Sequence, residues 1–388
     1  MEYNVNEVGL KIMERIQKEY NGFETVNVMV LGKTGVGKST LINNMFNEKI
    51  ADVGIGKPIT KDIKKIKLPG FPLAIYDTPG MELNGNFNVD KLLNSVIDVI
   101  DNQVKSGDIR NAIHCIWYCI STTSHRFEQA EIDFLKKLLC KTEEYDLPVI
   151  VVLTQAYSKK DAKTLKQEIE KENLHIVNVV PVLAENYEID DEYTAKAYGL
   201  DILSMVMNNV IPDTVKKTFA AIQKVNIDLK IDLAHKIVAS AAALAAATGA
   251  IPIPFSDAAA LVPEQIAMIG GITAAFGISM DQGTIMALIS STVGAAGATV
   301  LGKTIVANLI KLIPCAGNVI GGVISGATAA ALTSALGEAY IAIMVMVCNG
   351  NLTVEELNSD SGKNEIKRIF CEQLKIERQE NGDTKELE

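Results

Sequence analysis

Val26-Asn27-Val28-Met29-Val30-Leu31, running directly into Gly32-Lys33-Thr34-Gly35-Val36-Gly37-Lys38-Ser39, is the stretch that decides the fold. The first six residues are mostly apolar and β-branched, the pattern of a strand buried in a parallel sheet. The next eight fit G-x-x-x-x-G-K-[ST], and Thr40 to Phe46 after them reads as a helix. A glycine-rich turn between strand and helix aims backbone N–H groups inward, where they cradle the phosphates of a nucleotide. The helix N-terminus adds its positive dipole. In such a loop Lys38 reaches the β- and γ-phosphates and the Ser39 hydroxyl ligates Mg²⁺. Gly32, Lys33, Thr34, Gly35, Val36, Gly37, Lys38, Ser39 and Thr40 are therefore the expected phosphate-binding set.

Outward from this loop, strands and helices alternate. Strands are expected near 26–31, 63–68, 73–77, 112–120, 149–153 and 176–182, and helices near 38–46, 89–104, 128–140, 159–172 and 200–209. Such alternation implies an α/β fold of three layers, a mostly parallel sheet covered by helices on both faces. The strand near 63–68 sets lysines among Ile63, Ile66 and Leu68, which suits an edge position. Ahead of the sheet, Val5, Val8, Ile12, Ile16 and Tyr20 recur at helical spacing. Pro212 closes the alternating region. The expected organisation is an N-terminal amphipathic helix (1–22), the phosphate-loop domain (23–211), a helical connector (212–236), a separate all-α domain (237–350) and a polar helical tail (351–388). In the tail, Thr353 with Glu356 forms a capping-box signature. Ser256-Asp257 is an expected N-cap inside the all-α part.

The net charge of −10 disfavours broad nucleic-acid binding, which needs a basic surface to meet phosphates. Six cysteines (Cys115, Cys119, Cys140, Cys315, Cys348, Cys371) form no C-x-x-C pair, and their usage fits a reducing compartment. Cys115 and Cys119 are expected as small core residues on one face of a central strand. Met1-Glu2-Tyr3-Asn4 has neither a basic nor an apolar signal region, and residue 2 is not glycine, so neither a secretion signal nor myristoylation is expected.

Asp77-Thr78-Pro79-Gly80 follows the strand at 73–77, about 40 residues past the phosphate loop. At such a strand end an acidic residue holds the Mg²⁺ shell and a glycine N–H meets the γ-phosphate, which points to Asp77 and Gly80. Between the two motifs, Thr60 in Gly56-Lys57-Pro58-Ile59-Thr60 lies where a loop supplies a threonine to the metal and the γ-phosphate. Ser39, Thr60 and Asp77 are the expected metal ligands. The order of these motifs resembles the Era-like branch of the small GTPases, over about residues 23–211. Pro252-Ile253-Pro254-Phe255-Ser256-Asp257, Gln265 and Met268 resemble the YcjF-type domain of unknown function that follows some Era-like G domains. The overall layout is similar to that of the immunity-related GTPases. The resemblance implies GTP and GDP as ligands, Mg²⁺ as cofactor, and hydrolysis of GTP to GDP and phosphate.

The base-recognition segment departs from that family. Where [NT]-K-x-D is typical, the chain has Thr154-Gln155-Ala156-Tyr157. The lost carboxylate is worth on the order of 1–3 kcal/mol as a charged hydrogen-bonding partner. Asp161 is offset by four residues. Similar erosion occurs in AIG1-type and chloroplast-import GTPases, which still bind guanine nucleotides. Ala184 matches the small residue whose N–H meets guanine O6, so Thr154, Gln155 and Ala184 are the expected base-binding residues, with guanine preferred to adenine. Met81 stands where Ras has a water-orienting glutamine, so unaided hydrolysis is expected to be slow. Arg126, in Ser124-His125-Arg126-Phe127, resembles the exposed arginine at the dimer interface of AIG1-type and import GTPases. An arginine finger supplies about 10³–10⁵ in rate where one exists; a surface arginine paired with Glu128 or Glu131 is the alternative. Thr60 and Arg126 are the expected catalytic residues. His114, His125, His175 and His235 have no metal-like spacing.

From Ile231 to Val354 only eight residues are charged, and half of the chain's 28 glycines fall there. Uncharged runs of 20 (237–256), 21 (282–302) and 26 residues (312–337) are long enough to cross a bilayer. Their Ala, Gly, Ser and Thr content and their prolines fit a compact helical bundle equally well. The expected protein is a cytoplasmic GTP-binding switch, either free or associated with a membrane, with slow Mg²⁺-dependent turnover. A homodimer through the G domain and a membrane or protein partner through 237–350 accompany that expectation. A membrane-remodelling machine of the dynamin or immunity-related kind, and a nucleotide-binding scaffold without turnover, are the alternatives.

Overall fold

The computed structural model describes residues 5–48, 55–58, 63–78, 89–105, 107, 111–124, 126–248, 253–254, 262–277, 323–324, 326–353, 356, 359, 368–369 and 372. Thr60, Gly80, Met81 and His125, the Ser256-Asp257 cap and the run at 282–302 lie outside them. The chain forms two compact units, one of residues 23–226 and one that joins 1–22 to 227–388.

The first unit is a seven-stranded sheet in the order β2-β3-β4-β1-β5-β6-β7. Its strands are β1 (Val26–Gly32), β2 (Ile55–Pro58), β3 (Lys64–Lys67), β4 (Leu73–Asp77), β5 (Cys115–Ser121), β6 (Val149–Thr154) and β7 (Asn178–Pro181). β4, β1, β5, β6 and β7 run parallel, whereas β2 and β3 are antiparallel additions. The expectation of an edge at 63–68 is corrected here. β3 is covered by β2, which sequence reading missed because Ile55-Gly56-Lys57-Pro58 is short and carries Gly and Pro, both weak strand formers.

The pleat sends alternate side chains to opposite faces, and both are buried. Met29, Leu31, Tyr76, Ile116, Tyr118 and Val151 face α3 (Val89–Lys105), α4 (Gln129–Thr142) and α5 (Lys159–Lys171), which contribute Val96, Ile100, Phe134, Leu138 and Leu165 to one core. On the other face, Trp117 of β5 stacks on Phe46, just past α2 (Lys38–Met45), with centroids 6.1 Å apart. Phe46 in turn meets Phe219 edge to face at 6.4 Å. Cys115 and Cys119 share this face with Trp117, and burial pushes the Cys119 thiol up to about 12. A small hairpin, β8 (Tyr187–Glu188) with β9 (Thr194–Ala195), precedes α6 (Leu200–Val210).

Phe219 lies on α7 (Asp213–Ile222), which belongs to this unit. Pro212 therefore does not close it, and the expected connector at 212–236 divides. Its first half packs here, and its second half begins α8 (Ile227–Thr248) of the other unit. Charges between the apolar residues hid the division, because an amphipathic helix reads alike whichever core it faces.

The second unit is helical. It contains α1 (Val5–Asn21), α8, α9 (Val262–Phe276) and α10 (Gly326–Cys348), with a short pair of strands, Ile253–Pro254 and Val323–Ile324. Ile12 and Ile16 of α1 share one core with Val238, Met268, Ile272 and Leu336. The N-terminal helix is thus a member of this bundle. Thr273 and Tyr340 share a hydrogen bond at 2.8 Å inside it. Lys230 is buried and donates to the Phe276 carbonyl at 2.8 Å, and burial pulls its amine down to about 8. Tail residues Thr353 and Glu356 make the reciprocal capping bonds that their spacing predicts, at 2.8 and 3.2 Å.

At Gly337 a Cβ would lie 2.5 Å from Val238 Cγ2 and 3.0 Å from Met268 Sδ, so α10 approaches α8 and α9 there only because the side chain is missing. Gly337→Ala should destabilise the protein by about 1–3 kcal/mol through overpacking, and Val238→Ala in the same chain should recover part of the loss. Thermal unfolding of the three variants checks both.

Candidate functional site

The site lies along the carboxyl ends of β1, β4, β5, β6 and β7, where parallel sheets of this type bind ligands. β1 ends in Gly32, paired with Cys119 of β5. Gly32 has φ +147°, and a Cβ there would lie 2.5 Å from the Cys119 carbonyl oxygen. The turn opens on this residue and closes at Gly37 (φ 89°), which caps α2, so Lys38 and Ser39 occupy the first turn of the helix. Lys38 Nζ donates to the carbonyls of Gly32 (2.9 Å) and Lys33 (3.0 Å). Its charge is therefore held over the loop by the loop itself. Ser39 is exposed, and Thr40 is half-buried one turn before Asn44, whose amide donates to the Thr40 carbonyl at 2.9 Å. Thr34 and Gly35 are exposed at the loop crest and Val36 is buried beneath them.

Asp77 ends β4, opposite Val30 of β1. Burial holds its carboxyl above the usual range, opposed by the cations of Lys38 and Lys64. Its Oδ1 is buried and has no hydrogen-bond partner among the described residues. An orphaned carboxylate oxygen and a serine hydroxyl at one sheet edge are a hard-oxygen donor set that suits Mg²⁺. Ser39 and Asp77 fit that ion, and Thr60 lies outside the described residues.

The segment that follows β6, Thr154 and Gln155, is fastened to the phosphate loop. Thr154 is buried, and its hydroxyl donates to Val36 O at 2.5 Å with a second contact to Ile120 O at 3.2 Å. Gln155 has φ 51°, and its Nε2 donates to Gly35 O at 3.1 Å. The Ser121 hydroxyl donates to Gln155 Oε1, and the Thr122 hydroxyl donates to the Gln155 carbonyl at 2.6 Å. Sequence reading missed Ser121 and Thr122. Their only signal was a pair of hydroxyls at the end of a central strand. Ala184, half-buried, follows Leu183, which exchanges main-chain hydrogen bonds with Tyr198 at 3.0 Å. Beside this segment opens a concavity of about 660 Å³, lined by Tyr157, Lys159, Leu183, Tyr193, Lys196 and Tyr198.

One side chain of the expected phosphate-binding set turns away from the loop, and the expected exposed arginine lies at the surface beside Glu128. The Lys33 ammonium is turned toward α4, where it pairs with Glu128 (3.0 Å) and Glu131 (3.2 Å). The Arg126 side chain is 77% exposed, with Nε 3.9 Å from Glu128 Oε1. A contact of that length on an exposed side chain leaves Arg126 on the surface and accessible.

A glycine-led loop on a helix N-terminus, at the open edge of a mostly parallel sheet, defines a phosphate-loop nucleotide-binding domain. Residues 27–180 match the family described as 50S ribosome-binding GTPase, and residues 218–374 match a domain of unknown function, DUF697. The chain thus joins a small-GTPase G domain to a helical domain of that second kind. Septin-12 of Homo sapiens is 25% identical over 198 residues, 44% of this chain and 53% of the human protein. Septin-9 of Rattus norvegicus is 28% identical over 186 residues, 41% of this chain and 30% of its own length. The chain thus spans about half or less of these relatives. Among solved structures, the fold is similar to Era in complex with MgGDPNP and a 16S ribosomal RNA segment, at 20% identity and a TM-score of 0.32, covering 57% of this chain and 68% of that one.

A carboxylate whose desolvation is only partly offset by neighbouring cations costs stability until a ligand arrives. With its folded pKa raised above the unfolded value, Asp77 favours the fold when protonated, and that contribution is lost as pH rises through the folded pKa. Asp77→Asn should therefore raise the melting temperature of the ligand-free protein at neutral pH, by roughly 2–4 °C if about 1 kcal/mol is relieved. The same variant should lose the Mg²⁺-dependent part of its nucleotide affinity. Calorimetric melting and nucleotide titration with and without Mg²⁺ check the pair.

Proposed function

We propose that this chain binds GTP and GDP with Mg²⁺ and hydrolyses GTP slowly, acting as a nucleotide-dependent switch on a membrane or a partner protein. The observation that carries this reading is the Lys38 amine, held by two carbonyls of its own loop at the sheet edge where the orphaned Asp77 oxygen lies. Phosphate oxygens can replace those carbonyls at small cost, because Lys38 keeps its place and exchanges one set of acceptors for another. The N–H groups of the loop and the first turn of α2 supply the remaining donors for the phosphates. Mg²⁺, when bound, neutralises charge on the phosphates, and Ser39 and Asp77 are the residues to hold it. Thr60 is proposed as a further ligand from its place in the sequence.

Guanine preference rests on the main chain around Gln155 and Ala184. The Thr154 hydroxyl is committed to carbonyls of the phosphate loop and β5, so it fixes the segment's position. Slow turnover by the isolated chain is expected from Met81, which has no group able to orient water. Exposed Arg126 is the group available to a second copy of the chain, and it supplies the missing charge stabilisation in a dimer.

The helical unit is the proposed output side. Two of its helices, Ile227–Thr248 and Gly326–Cys348, are long and apolar enough to cross a membrane, and both are only partly buried. The cytoplasm, at a membrane surface, is the proposed location.

Lys38→Ala should weaken GTP binding by roughly 10- to 100-fold, the equivalent of about 1.5–3 kcal/mol for charged hydrogen bonds, with the fold intact. Unchanged affinity would refute the phosphate-loop assignment. Labelled GTP should be displaced by unlabelled GTP well before ATP. Specific activity should rise with protein concentration, and Arg126→Ala should flatten that rise while GTP affinity stays near the parent value. A flat profile in the parent returns Arg126 to an ordinary surface residue.

A further inference from the structure

Lys33 is the second residue of the phosphate loop, and its place in the motif alone would send it to the phosphates. The fold turns it the other way. Its ammonium sits 3.0 Å from Glu128 Oε2 and 3.2 Å from Glu131 Oε2. The Glu131 side chain is only 4% exposed, and a buried carboxylate is tolerated when a countercharge and hydrogen bonds accompany it. It has both, because its Oε2 also accepts the Glu128 N–H at 3.4 Å in the capping box that starts α4. On the loop side, the Lys33 carbonyl is one of the two acceptors of Lys38 Nζ. On the far side, Glu128 stands two residues beyond Arg126 and is the carboxylate nearest its Nε. Polar contacts therefore run from Lys38, through the main-chain carbonyl and then the ammonium of residue 33, to the start of α4 and the segment that bears Arg126.

We propose that Glu131, with Glu128 beside it, is a positioning residue of the phosphate loop: it takes up the charge of Lys33, holds that side chain away from the nucleotide, and fastens the loop to the segment that carries Arg126. The proposal rests on the reading of the chain as a GTP-binding protein. Under it, Lys33 supports nucleotide binding by cancelling negative charge that would otherwise face a polyphosphate. Lys33, Glu128 and Glu131 together carry one net negative charge. Removing the lysine alone makes that two, and neutralising Glu131 as well returns it to one. A lysine that met the phosphates directly would behave differently, since neutralising Glu131 would not replace the lost contact. Phosphate occupancy also reaches Arg126 by this route, because phosphate oxygens compete with the Lys33 carbonyl for Lys38.

The test uses the full chain as Lys33→Met, Glu131→Gln, the pair together, and Lys33→Arg, each measured for affinity toward fluorescent GDP and for melting temperature without nucleotide. Lys33→Met should weaken GDP binding by roughly 10- to 100-fold, since it strips the countercharge from a buried acid. The double variant should recover most of that loss and most of the lost melting temperature, and Lys33→Arg should stay near the parent in both. A double variant that binds GDP no better than Lys33→Met, or a Lys33→Met chain that melts with the parent, overturns the proposal. A parent chain that binds no guanine nucleotide refutes the functional reading instead. The melting temperatures then still decide the clamp: non-additive shifts uphold it and additive shifts overturn it.

Discussion

The main-chain carbonyl of Cys119 occupies the space that a side chain on residue 32 would need. β1 and β5 stay in register through that pair, so the sheet is closed up to the first residue of the phosphate loop. Only glycine turns there, and the turn positions the residues beyond it. Gly37 in the left-handed region starts α2, α2 presents Lys38 and Ser39 in its first turn, and the Lys38 amine folds back over the loop. On the neighbouring strands, Asp77 and Thr154 reach the same edge because their registers are set by pairing with β1 and β5. The site is a consequence of strand register more than of loop sequence.

Its buried charges fall into two kinds. Glu131 is surrounded by what it needs, a cation and a main-chain donor, and therefore stiffens the place where it sits. Asp77 Oδ1 is left without a hydrogen-bond partner among the described residues. Burial disfavours the ionised form of both carboxylates, but only Asp77 stands where an incoming cation would relieve the cost. Stability and ligand readiness oppose each other at that one residue, the usual condition of a preformed binding site.

The helical unit obeys another logic. Its core combines α1, from the start of the chain, with helices more than 200 residues later. Small side chains let these helices approach closely, and two of the polar groups that become buried are answered within the bundle: Thr273 by Tyr340, and Lys230 by the carbonyl that ends α9. Low charge is thus explained in part by close packing. Leu244 on α8 is nonetheless 59% exposed, so the same helix shows an apolar residue outward.

The sequence by itself determined the phosphate loop, the alternation of strands and helices, and the match between Asp77 and a strand end, because each depends on neighbours within a few residues. Glycine spacing, unbroken apolar runs and strand-to-helix order are local properties. Tertiary structure alone decided the rest. The edge of the sheet passed from β3 to β2, since pairing across the chain sets which strand is last. Residues 1–22 joined a distant bundle, and the segment at 212–236 was divided between two cores, because an amphipathic face does not name its partner. Lys33 turned from the phosphates to Glu128 and Glu131, nearly a hundred residues on. A motif fixes where the backbone of such a residue runs. The direction of its side chain is settled by whichever opposite charge the fold brings within about 4 Å, and local sequence does not record that distance.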